Sequence, residues 1–331
     1  MKTLTIVIPS YNTEDFIDKS LPTFIDDRLF KFVEVLLIND GSTDNTSKIC
    51  QQYVDKYPEY FKLINKENGG HGSVINIGLK LATGKYFKVV DGDDWVDTEN
   101  LVKLVEYLNE INADVVLNTY YTINLENNGE KKLQNIPLKD SHFYSFDDVV
   151  DNLNQLQIHT LTIKTELMRE NNVLVTEKCF YEDFQYSLFT VPYIESLIFY
   201  DFPVYNYLIG QKSQSVSNLS VFKNHNMLRK ILFDSILYNN RVRSILSEKK
   251  REFFDRNISI LAKQTYNAYL RNSNQAMSFD YFLEFDGLLK EESEYFYNEV
   301  SNRFFYIKVL RLKNKLVFEF LSKLLTLYKK G

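Results

Sequence analysis

The sequence predicts an α/β fold, with a mostly parallel central sheet flanked by helices and a helical C-terminal region. Two observations predict it. Short β-prone runs alternate with helical segments from Leu4 to Asn118, and this alternation is typical of βαβ units with a mostly parallel sheet. From about Ser220 onward, apolar residues instead recur at helical spacing with few glycines or prolines, which predicts a helical second region.

The predicted elements follow in a regular order. The first strand ends at Pro9, the second at the turn Asn39–Ser42, and the glycine-rich loop Asn68–Ser73 opens a helix. Polar residues from Glu126 to Ser141 predict an exposed excursion. The predicted strands are Leu4–Ile8, Val33–Ile38, Phe61–Ile64, Tyr86–Val90 and Asp114–Asn118, and the predicted helices are Glu14–Ile25, Thr43–Tyr57, one from the glycine-rich loop to about Leu81, and Thr98–Asn109.

Composition excludes several classes of protein. The chain has 331 residues, of which 44% are hydrophobic, so it is not disordered. A net charge of -5 argues against a nucleic-acid partner. Two cysteines without metal-like spacing predict free thiols in a reducing compartment. With neither a signal peptide nor an apolar run of about 18 residues, we expect a cytoplasmic location.

The segment Asp91-Gly92-Asp93-Asp94 follows the fourth predicted strand. Residues two apart on an extended backbone point to the same side, so Asp91 and Asp93 project together. Their oxygens suit Mg²⁺ or Mn²⁺, and Gly92 would leave room for a ligand. A solvated acidic turn before a helix capped by Asp97 is the alternative.

Several other polar groups fall at strand ends, where ligands of open α/β sheets bind. Tyr11, Asp40, Asp91 and Asp93 could therefore line one crevice. The Tyr11 ring could stack on a nucleobase or simply pack at the rim. The glycine-rich loop lacks the third glycine of a dinucleotide fingerprint, but its N–H groups could hold a phosphate or sugar; otherwise it is a tight turn. His71 could contact a phosphate or a sugar hydroxyl, or be an ordinary surface residue.

Glu182-Asp183 is a second acidic pair, surrounded by aromatic residues. A partly desolvated carboxylate has a raised pKa and can act as a general base. Alternatively, one acid caps a helix and the other is solvated.

The order of these motifs resembles the family 2 glycosyltransferases. The resemblance is carried by Ile8-Pro9-Ser10-Tyr11-Asn12, Asn39-Asp40-Gly41-Ser42-Thr43-Asp44, Asn68-Gly69-Gly70 and Asp91-Gly92-Asp93-Asp94-Trp95, with Glu182-Asp183, Tyr205-Asn206-Tyr207-Leu208 and Gln214-Ser215-Val216-Ser217 further on. It implies a GT-A fold and inverting transfer from a nucleotide-sugar, of which a UDP-sugar is the expected form. It also implies a catalytic domain over 1–218, with a nucleotide-sugar half of about 1–97 and an acceptor half of about 98–218. The helical region over 219–331 is not covered by the resemblance and is predicted from its apolar spacing alone.

Site roles follow from the same resemblance. Asp183 would be the catalytic base, and Asp93 with Asp91 would hold Mn²⁺ or Mg²⁺. The nucleotide-sugar would contact Pro9, Tyr11, Asp40, Gly70, Asp91 and Asp93. The Gln-x-x-Arg-Trp signature of processive polymerases is absent, since Trp95 is the sole tryptophan. We therefore expect transfer of one sugar to a saccharide or lipid-linked acceptor. Leu208 stands where many members have an arginine.

Two other functions stay open from the sequence. A nucleotidyltransferase would share the α/β sheet, the metal and the nucleotide, and a non-catalytic nucleotide- or carbohydrate-binding protein would share the crevice. The former should release pyrophosphate rather than a nucleoside diphosphate, and the latter would not need both the acidic turn and Asp183.

The C-terminal segment is basic. From Arg303 to Gly331 it carries eight Lys or Arg against one acid, a net of +7. Its apolar residues, Val309, Leu312, Leu316, Phe320, Leu321, Leu324 and Leu327, recur at helical spacing, and Lys308, Arg311, Lys315, Lys323, Lys329 and Lys330 surround them. The pattern predicts an amphipathic helix on the inner face of an anionic membrane. The alternative is that this face packs on the catalytic domain or forms a homo-oligomer.

Overall fold

The computed structural model describes residues 2–210, 218–275 and 277–327. The chain divides into two compact units, Met1–Lys212 and Ser213–Gly331. The division falls close to the predicted boundary between residues 218 and 219. The predicted segment Gln214–Ser217 and the lysines at 329 and 330 lie outside the described residues.

The first unit is built on a single sheet, which has ten strands within the described residues. The strands are β1 Lys2–Ser10, β2 Val33–Asn39, β3 Phe61–Asn65, β4 Gly84–Val89, β5 Trp95–Val96, β6 Val115–Asn124, β7 Glu130–Gln134, β8 His142–Ser145, β9 Leu161–Lys164 and β10 Ser196–Ile209. The α-helices are α1 Glu14–Ser20, α2 Thr46–Lys56, α3 His71–Leu81, α4 Thr98–Glu110, α5 Phe146–Val149, α6 Thr165–Glu170 and α7 Asp183–Leu188.

The sheet order is β3-β2-β1-β4-β9-β6-β10-β5, with β7 beside β6 and β8 beside β10. β3, β2, β1 and β4 run parallel, as do β6 and β10. β9 is antiparallel to both of its neighbours and lies between β4 and β6. The parallel strands are buried along most of their length, which matches their apolar composition. Their carboxyl ends therefore meet at one edge of the sheet.

Element boundaries differ from the predicted ones for local reasons. The helix predicted to reach Ile25 ends at Ser20, and a 3₁₀ turn containing Pro22 follows. Proline has no backbone N–H, so Pro22 cannot make the hydrogen bond that would continue the α-helix. The predicted cap is confirmed, since the Asp97 carboxylate accepts a hydrogen bond from the Asn100 N–H at 3.0 Å. The polar excursion after β6 is exposed, but it also contains β7, which pairs with β6.

The second unit is helical in the residues described. Its helices are α8 Asn218–Lys223, α9 His225–Val242, α10 Glu248–Arg271, α11 Ser278–Glu292, α12 Glu294–Arg303, α13 Phe305–Leu310 and α14 Lys315–Leu327. Buried rings from α10 and α11 form much of its core, including Tyr266, Phe282 and Phe285. Among the described residues, no helix combines the length and apolar character needed to cross a bilayer.

The predicted C-terminal amphipathic helix is interrupted. Lys313, between α13 and α14, has a left-handed backbone with φ of 54°, so Val309 lies on α13 and Leu312 lies in the turn. On α14 the Phe318 ring packs against Phe282 with centroids 5.4 Å apart. The opposite apolar side chains are exposed, namely Leu316 at 75% and Phe320 at 61%. The helix therefore has one packed side and one open apolar side.

Candidate active site

The acidic turn follows directly from the end of β4, beside the end of β1. The Gly92 N–H donates to the Pro9 carbonyl at 3.1 Å, and the Asp94 N–H donates to the Asp91 carbonyl at 3.0 Å. A Cβ on Gly92 would lie 2.7 Å from the Pro9 oxygen. The expectation that Gly92 makes room for a ligand is therefore wrong, because the close neighbour is the backbone of β1. Asp91 and Asp93 are both half-buried.

Asp94 is the buried member of the turn. One carboxylate oxygen accepts from the Tyr205 hydroxyl at 2.6 Å, and the other accepts from the Leu208 N–H at 2.7 Å. Burial, together with the nearby Asp93 and Asp91 charges, raises the pKa of Asp94 well above its usual value. Tyr205 also accepts a hydrogen bond at its hydroxyl from the Asp91 N–H, at 3.1 Å. Asp94 thus fixes the turn to β10.

His71 joins the two acidic motifs. It begins α3, and its Nε2 lies 2.8 Å from Asp91 Oδ1 while its Nδ1 lies 2.6 Å from Glu182 Oε1. Burial opposes a charge on the ring, but the two carboxylates outweigh it and raise the pKa of His71 well above its usual value. Burial also disfavours the charged form of Asp91, yet His71 lowers the pKa of that carboxyl. A protonated His71 donates from both nitrogens and neutralises part of the acidic cluster.

Glu182 and Asp183 occupy different environments. Glu182 is buried, and its second oxygen has no hydrogen-bond partner among the described residues. Asp183 begins α7 and is open to solvent, while protein groups crowd around its carboxylate. This partial desolvation and the neighbouring Glu182 charge raise the pKa of Asp183 to about 6. A carboxylate with this pKa is a suitable proton acceptor near neutral pH.

Asp40 and the glycine-rich loop bind each other. The Asp40 carboxylate accepts from the Gly69 N–H at 2.9 Å and the Gly70 N–H at 2.8 Å, and it also pairs with Lys66. Gly70 has φ of 80°, and a Cβ there would meet the Lys178 backbone at 3.2 Å. These two N–H groups are therefore directed to Asp40 and not to a phosphate, which corrects that expectation for the loop.

Tyr11 lies beyond the end of β1 with 51% of its surface exposed, so the ring is not a core residue. The backbone beside it is held by Asn12, whose side-chain oxygen accepts from the Thr43 N–H at 2.8 Å. The exposed ring leaves a flat aromatic face at the same sheet edge as the acidic turn.

Three groups come close enough to share one ion. Ligand atoms of Asp91, Asp94 and His159 all lie within 4.8 Å of one another. The Nδ1 atom of His159 is buried with no hydrogen-bond partner in the described part of the chain, and burial lowers the pKa of His159 to about 4. The carboxylate oxygens suit Mn²⁺ or Mg²⁺, whereas a neutral imidazole suits a transition metal better than Mg²⁺, so of the two ions this group favours Mn²⁺. The predicted pair, Asp91 and Asp93, shares only Asp91 with this group.

A buried lysine lies behind these carboxylates. Lys88 of β4 donates from Nζ to the His159 carbonyl at 3.2 Å and to the Leu161 carbonyl at 3.1 Å. Burial lowers the pKa of Lys88 to about 7. Sequence reasoning missed Lys88, although a lysine inside the apolar run of a buried strand is a detectable signal. It also missed Asp94 and His159, and it did not foresee the bridge made by His71.

Comparison with known families decides the affiliation. The family described as Glycosyl transferase family 2 matches residues 5–171, just over half of the chain. The chain belongs to glycosyl transferase family 2. The resemblance drawn from the sequence motifs is thereby confirmed.

Curated relatives of this family 2 chain match it over a limited segment. Glycosyltransferase GlyA of Streptococcus pneumoniae serotype 4 is 32% identical over 121 residues, 37% of this chain and 17% of GlyA. The minor teichoic acid biosynthesis protein GgaB of Bacillus subtilis is 32% identical over 107 residues, 32% of this chain and 12% of GgaB. The poly(ribitol-phosphate) beta-glucosyltransferase of Bacillus spizizenii is 33% identical over 123 residues, 37% of this chain and 19% of that protein. The matched segment is less than a fifth of the length of each of these three relatives.

Solved structures share the fold over nearly the whole family 2 chain. S. aureus TarS 1-349 in complex with UDP-GlcNAc has a TM-score of 0.67 at 20% identity and covers 98% of this chain and 91% of its own. The mannosyltransferase PcManGT from Pyrobaculum calidifontis, in complex with GDP-Man and Mn²⁺, has a TM-score of 0.52 at 12% identity, with 99% and 88% covered. The predicted α/β, GT-A-like fold with a helical C-terminal region is confirmed.

Proposed function

We propose that this family 2 chain is an inverting, metal-dependent glycosyltransferase. It moves one sugar from a nucleotide-sugar, of which a UDP-sugar is the leading candidate, to a hydroxyl of a saccharide or lipid-linked acceptor in cell-surface polysaccharide synthesis. The observation that carries the proposal is the His71 bridge, which links the acidic turn of Asp91 to Glu182, the residue before Asp183. A donor-side acidic site and a separate base are the two parts that inverting transfer requires.

In the proposed reaction, Asp183 is the general base. Asp183, solvent-accessible and with a pKa of about 6, takes the proton from the acceptor hydroxyl. The hydroxyl oxygen then bonds to the anomeric carbon opposite the leaving group, while the carbon–oxygen bond to the diphosphate breaks and its electrons stay on the phosphate oxygen. The configuration at that carbon inverts.

Asp91 and Asp93 would hold Mn²⁺ or Mg²⁺, with Asp94 and His159 close to Asp91. The ion would neutralise charge developing on the departing diphosphate. Tyr11 would offer its exposed ring to the nucleobase, and Pro9, Asp40 and Gly70 would shape the nucleotide side of the crevice. Asp40 acts there through its hold on the Gly69–Gly70 backbone.

One assay tests the proposal against its rivals. The chain is incubated with Mn²⁺ and a panel of UDP-, GDP- and dTDP-sugars, and the release of nucleoside diphosphate is measured with and without saccharide acceptors. Nucleoside diphosphate release that Asp183→Asn abolishes supports the transferase. Pyrophosphate release would instead indicate a nucleotidyltransferase, and donor binding without turnover on any acceptor would indicate a binding protein.

The open side of α14 supports a membrane contact as part of this function. Its apolar side chains Leu316, Phe320 and Leu324 are exposed, as is Leu312 in the preceding turn. Exposed lysines lie on α13, in the turn and on α14, namely Lys308, Lys313, Lys315 and Lys323. Exposed leucines and phenylalanine beside lysines suit an anionic lipid surface. Such a contact would bring the enzyme to a lipid-linked acceptor, and self-association through the same side is the alternative.

A further inference from the structure

A cavity of about 280 Å³ in the first unit has an unusual lining. None of its lining residues is charged, although 25% of the whole chain is. Six of its thirteen lining residues carry carboxamide side chains, namely Gln134, Asn135, Asn152, Asn154, Gln155 and Gln157, and most of the others are apolar or aromatic.

The cavity lies next to the catalytic carboxylates. Tyr120 forms part of its wall, and the Tyr120 ring stacks on the ring of His159 with centroids 5.1 Å apart. His159 in turn belongs to the group with Asp91 and Asp94, and it also stacks on Tyr207 at 4.1 Å. Through the stacked rings of Tyr120 and His159, the wall of the cavity is therefore in contact with the group that contains Asp91 and Asp94.

The lining selects a class of ligand. A carboxamide offers both a donor and an acceptor, which matches the paired roles of sugar hydroxyls, and a tyrosine ring offers an apolar surface with a polar edge. A phosphate or carboxylate entering here would lose water without gaining an opposite charge, which is unfavourable. The chemistry therefore fits a neutral polyhydroxyl compound.

Its position separates the cavity from the predicted nucleotide side. Tyr11 and Asp40 follow β1 and β2, whereas the cavity residues lie on β6 and β7 and between 152 and 160. β4 and β9 stand between these two groups of strands in the sheet. The volume is near the lower end of the range for ligand pockets, roughly 300 Å³ upward, so it suits a single sugar unit.

We propose that this cavity is the acceptor subsite and that it binds a neutral sugar unit. The inference rests on the proposed transferase function and adds the acceptor class: the unit bound next to the reacting hydroxyl carries no phosphate or carboxylate. Asn154 and Gln155 line the cavity and are exposed, so their side-chain amides are accessible to a ligand.

The test measures binding directly with the full chain, with UDP and Mn²⁺ present. Saturation-transfer NMR is recorded with neutral methyl glycosides of glucose, galactose, mannose and N-acetylglucosamine. The charged probes are methyl glucuronide and glycerol 3-phosphate. At least one neutral glycoside should bind, and Asn154→Ala/Gln155→Ala should weaken its affinity about tenfold. Gln51→Ala/Gln52→Ala, two exposed carboxamides on α2, is the matched control and should leave binding unchanged.

Other results would overturn the inference. It fails if no neutral glycoside binds, if the cavity variant and the control behave alike, or if the charged probes bind in a way that depends on Asn154 and Gln155. Donor turnover separates this failure from that of the proposed function. UDP release in the absence of acceptor depends on Asp183 and the acidic turn, so it is compared between the wild-type chain, Asp183→Asn and the Gln51→Ala/Gln52→Ala control, and the control should match the wild type. Cavity-dependent glycoside binding without any donor turnover would retain the site and reject the transferase.

Discussion

His71 Nε2 lies 2.8 Å from Asp91 Oδ1, at the point where α3 begins beside the end of β4. The other ring nitrogen lies 2.6 Å from Glu182, a residue 111 positions further along the chain than His71. Since both partners are acidic, the imidazole is held in its charged form. The donor side and the base side of the proposed reaction are thereby joined by a single positive charge.

Replacing His71 should impair the site without unfolding the chain. In His71→Ala the buried Glu182 and the Asp91 carboxylate lose the hydrogen-bond donor that they share. Neither carboxylate is then held in place, and the repulsion between their negative charges is no longer offset by the imidazolium. We expect kcat/KM to fall about 10- to 100-fold, as is typical when the partner that orients a ligand-binding residue is removed. His142→Ala, at an exposed histidine, is the control. Unchanged kinetics and Mn²⁺ affinity in His71→Ala would show that the bridge is dispensable.

The pH dependence of turnover should report Asp183. Partial desolvation of its carboxylate and the Glu182 charge raise the pKa of Asp183 to about 6, and a general base must be deprotonated to act. Activity should therefore be full above pH 6 and should fall as the pH drops through that value, in profiles of kcat/KM. Asp183→Asn should lower the rate about 10²- to 10⁴-fold while donor binding persists. If an Asp183→Asn variant is still active and its kcat/KM still falls at low pH, the group that titrates near pH 6 is not Asp183.

Two aspartates of the acidic turn should differ in their effect on metal binding. Asp93→Asn should abolish Mn²⁺-dependent binding of UDP-sugar in calorimetry, because it removes a proposed ligand. Asp94→Asn should mainly lower stability, because both Asp94 oxygens already accept hydrogen bonds from Tyr205 and Leu208. The reverse pattern, with metal binding lost in Asp94→Asn and kept in Asp93→Asn, would identify Asp91, Asp94 and His159 as the ligand set.

The sequence could predict those parts of the site that depend on local order. The acidic turn follows a short, mostly apolar strand, and the Glu182–Asp183 pair is flanked by aromatic residues in the sequence. Both motifs could therefore be identified without knowledge of the tertiary fold. The contact between Lys88 and His159 could not be predicted, because these residues meet only when β9 inserts antiparallel between β4 and β6. That insertion places His159 and Leu161 beside β4, where Lys88 donates to both of their carbonyls.

The role of Gly92 could not be predicted for a related reason. Sequence shows that a side chain is absent, but it does not show what occupies the space. Here the space is filled by the Pro9 carbonyl of the neighbouring strand, so the glycine permits close packing of β1 against the acidic turn. The carboxamide cavity likewise combines residues from β7 and from 152–157, which no local pattern connects.

The exposed side of α14 should bind anionic membranes. Leu316→Ser/Phe320→Ser removes two large apolar side chains that are 75% and 61% exposed, and each contributes roughly 1.5–3 kcal/mol when fully buried. The inner side of α14, where Phe318 packs on Phe282, is untouched, so the fold should be retained.

Vesicle flotation measures the effect. The wild-type chain should float with vesicles containing anionic lipid, and added salt should reduce the floating fraction because each lysine near the surface contributes about 1 kcal/mol before screening. The double variant should lose at least about 90% of the binding, since two buried apolar side chains exceed the 1.4 kcal/mol that corresponds to a tenfold change. Leu237→Ser/Ile245→Ser alters two other side chains of the second unit that are 62% and 60% exposed, and it should float like the wild type. If the wild type stays in solution, or if both double variants lose binding equally, α14 is not the membrane-binding element, and self-association measured by sedimentation becomes the next test of its open side.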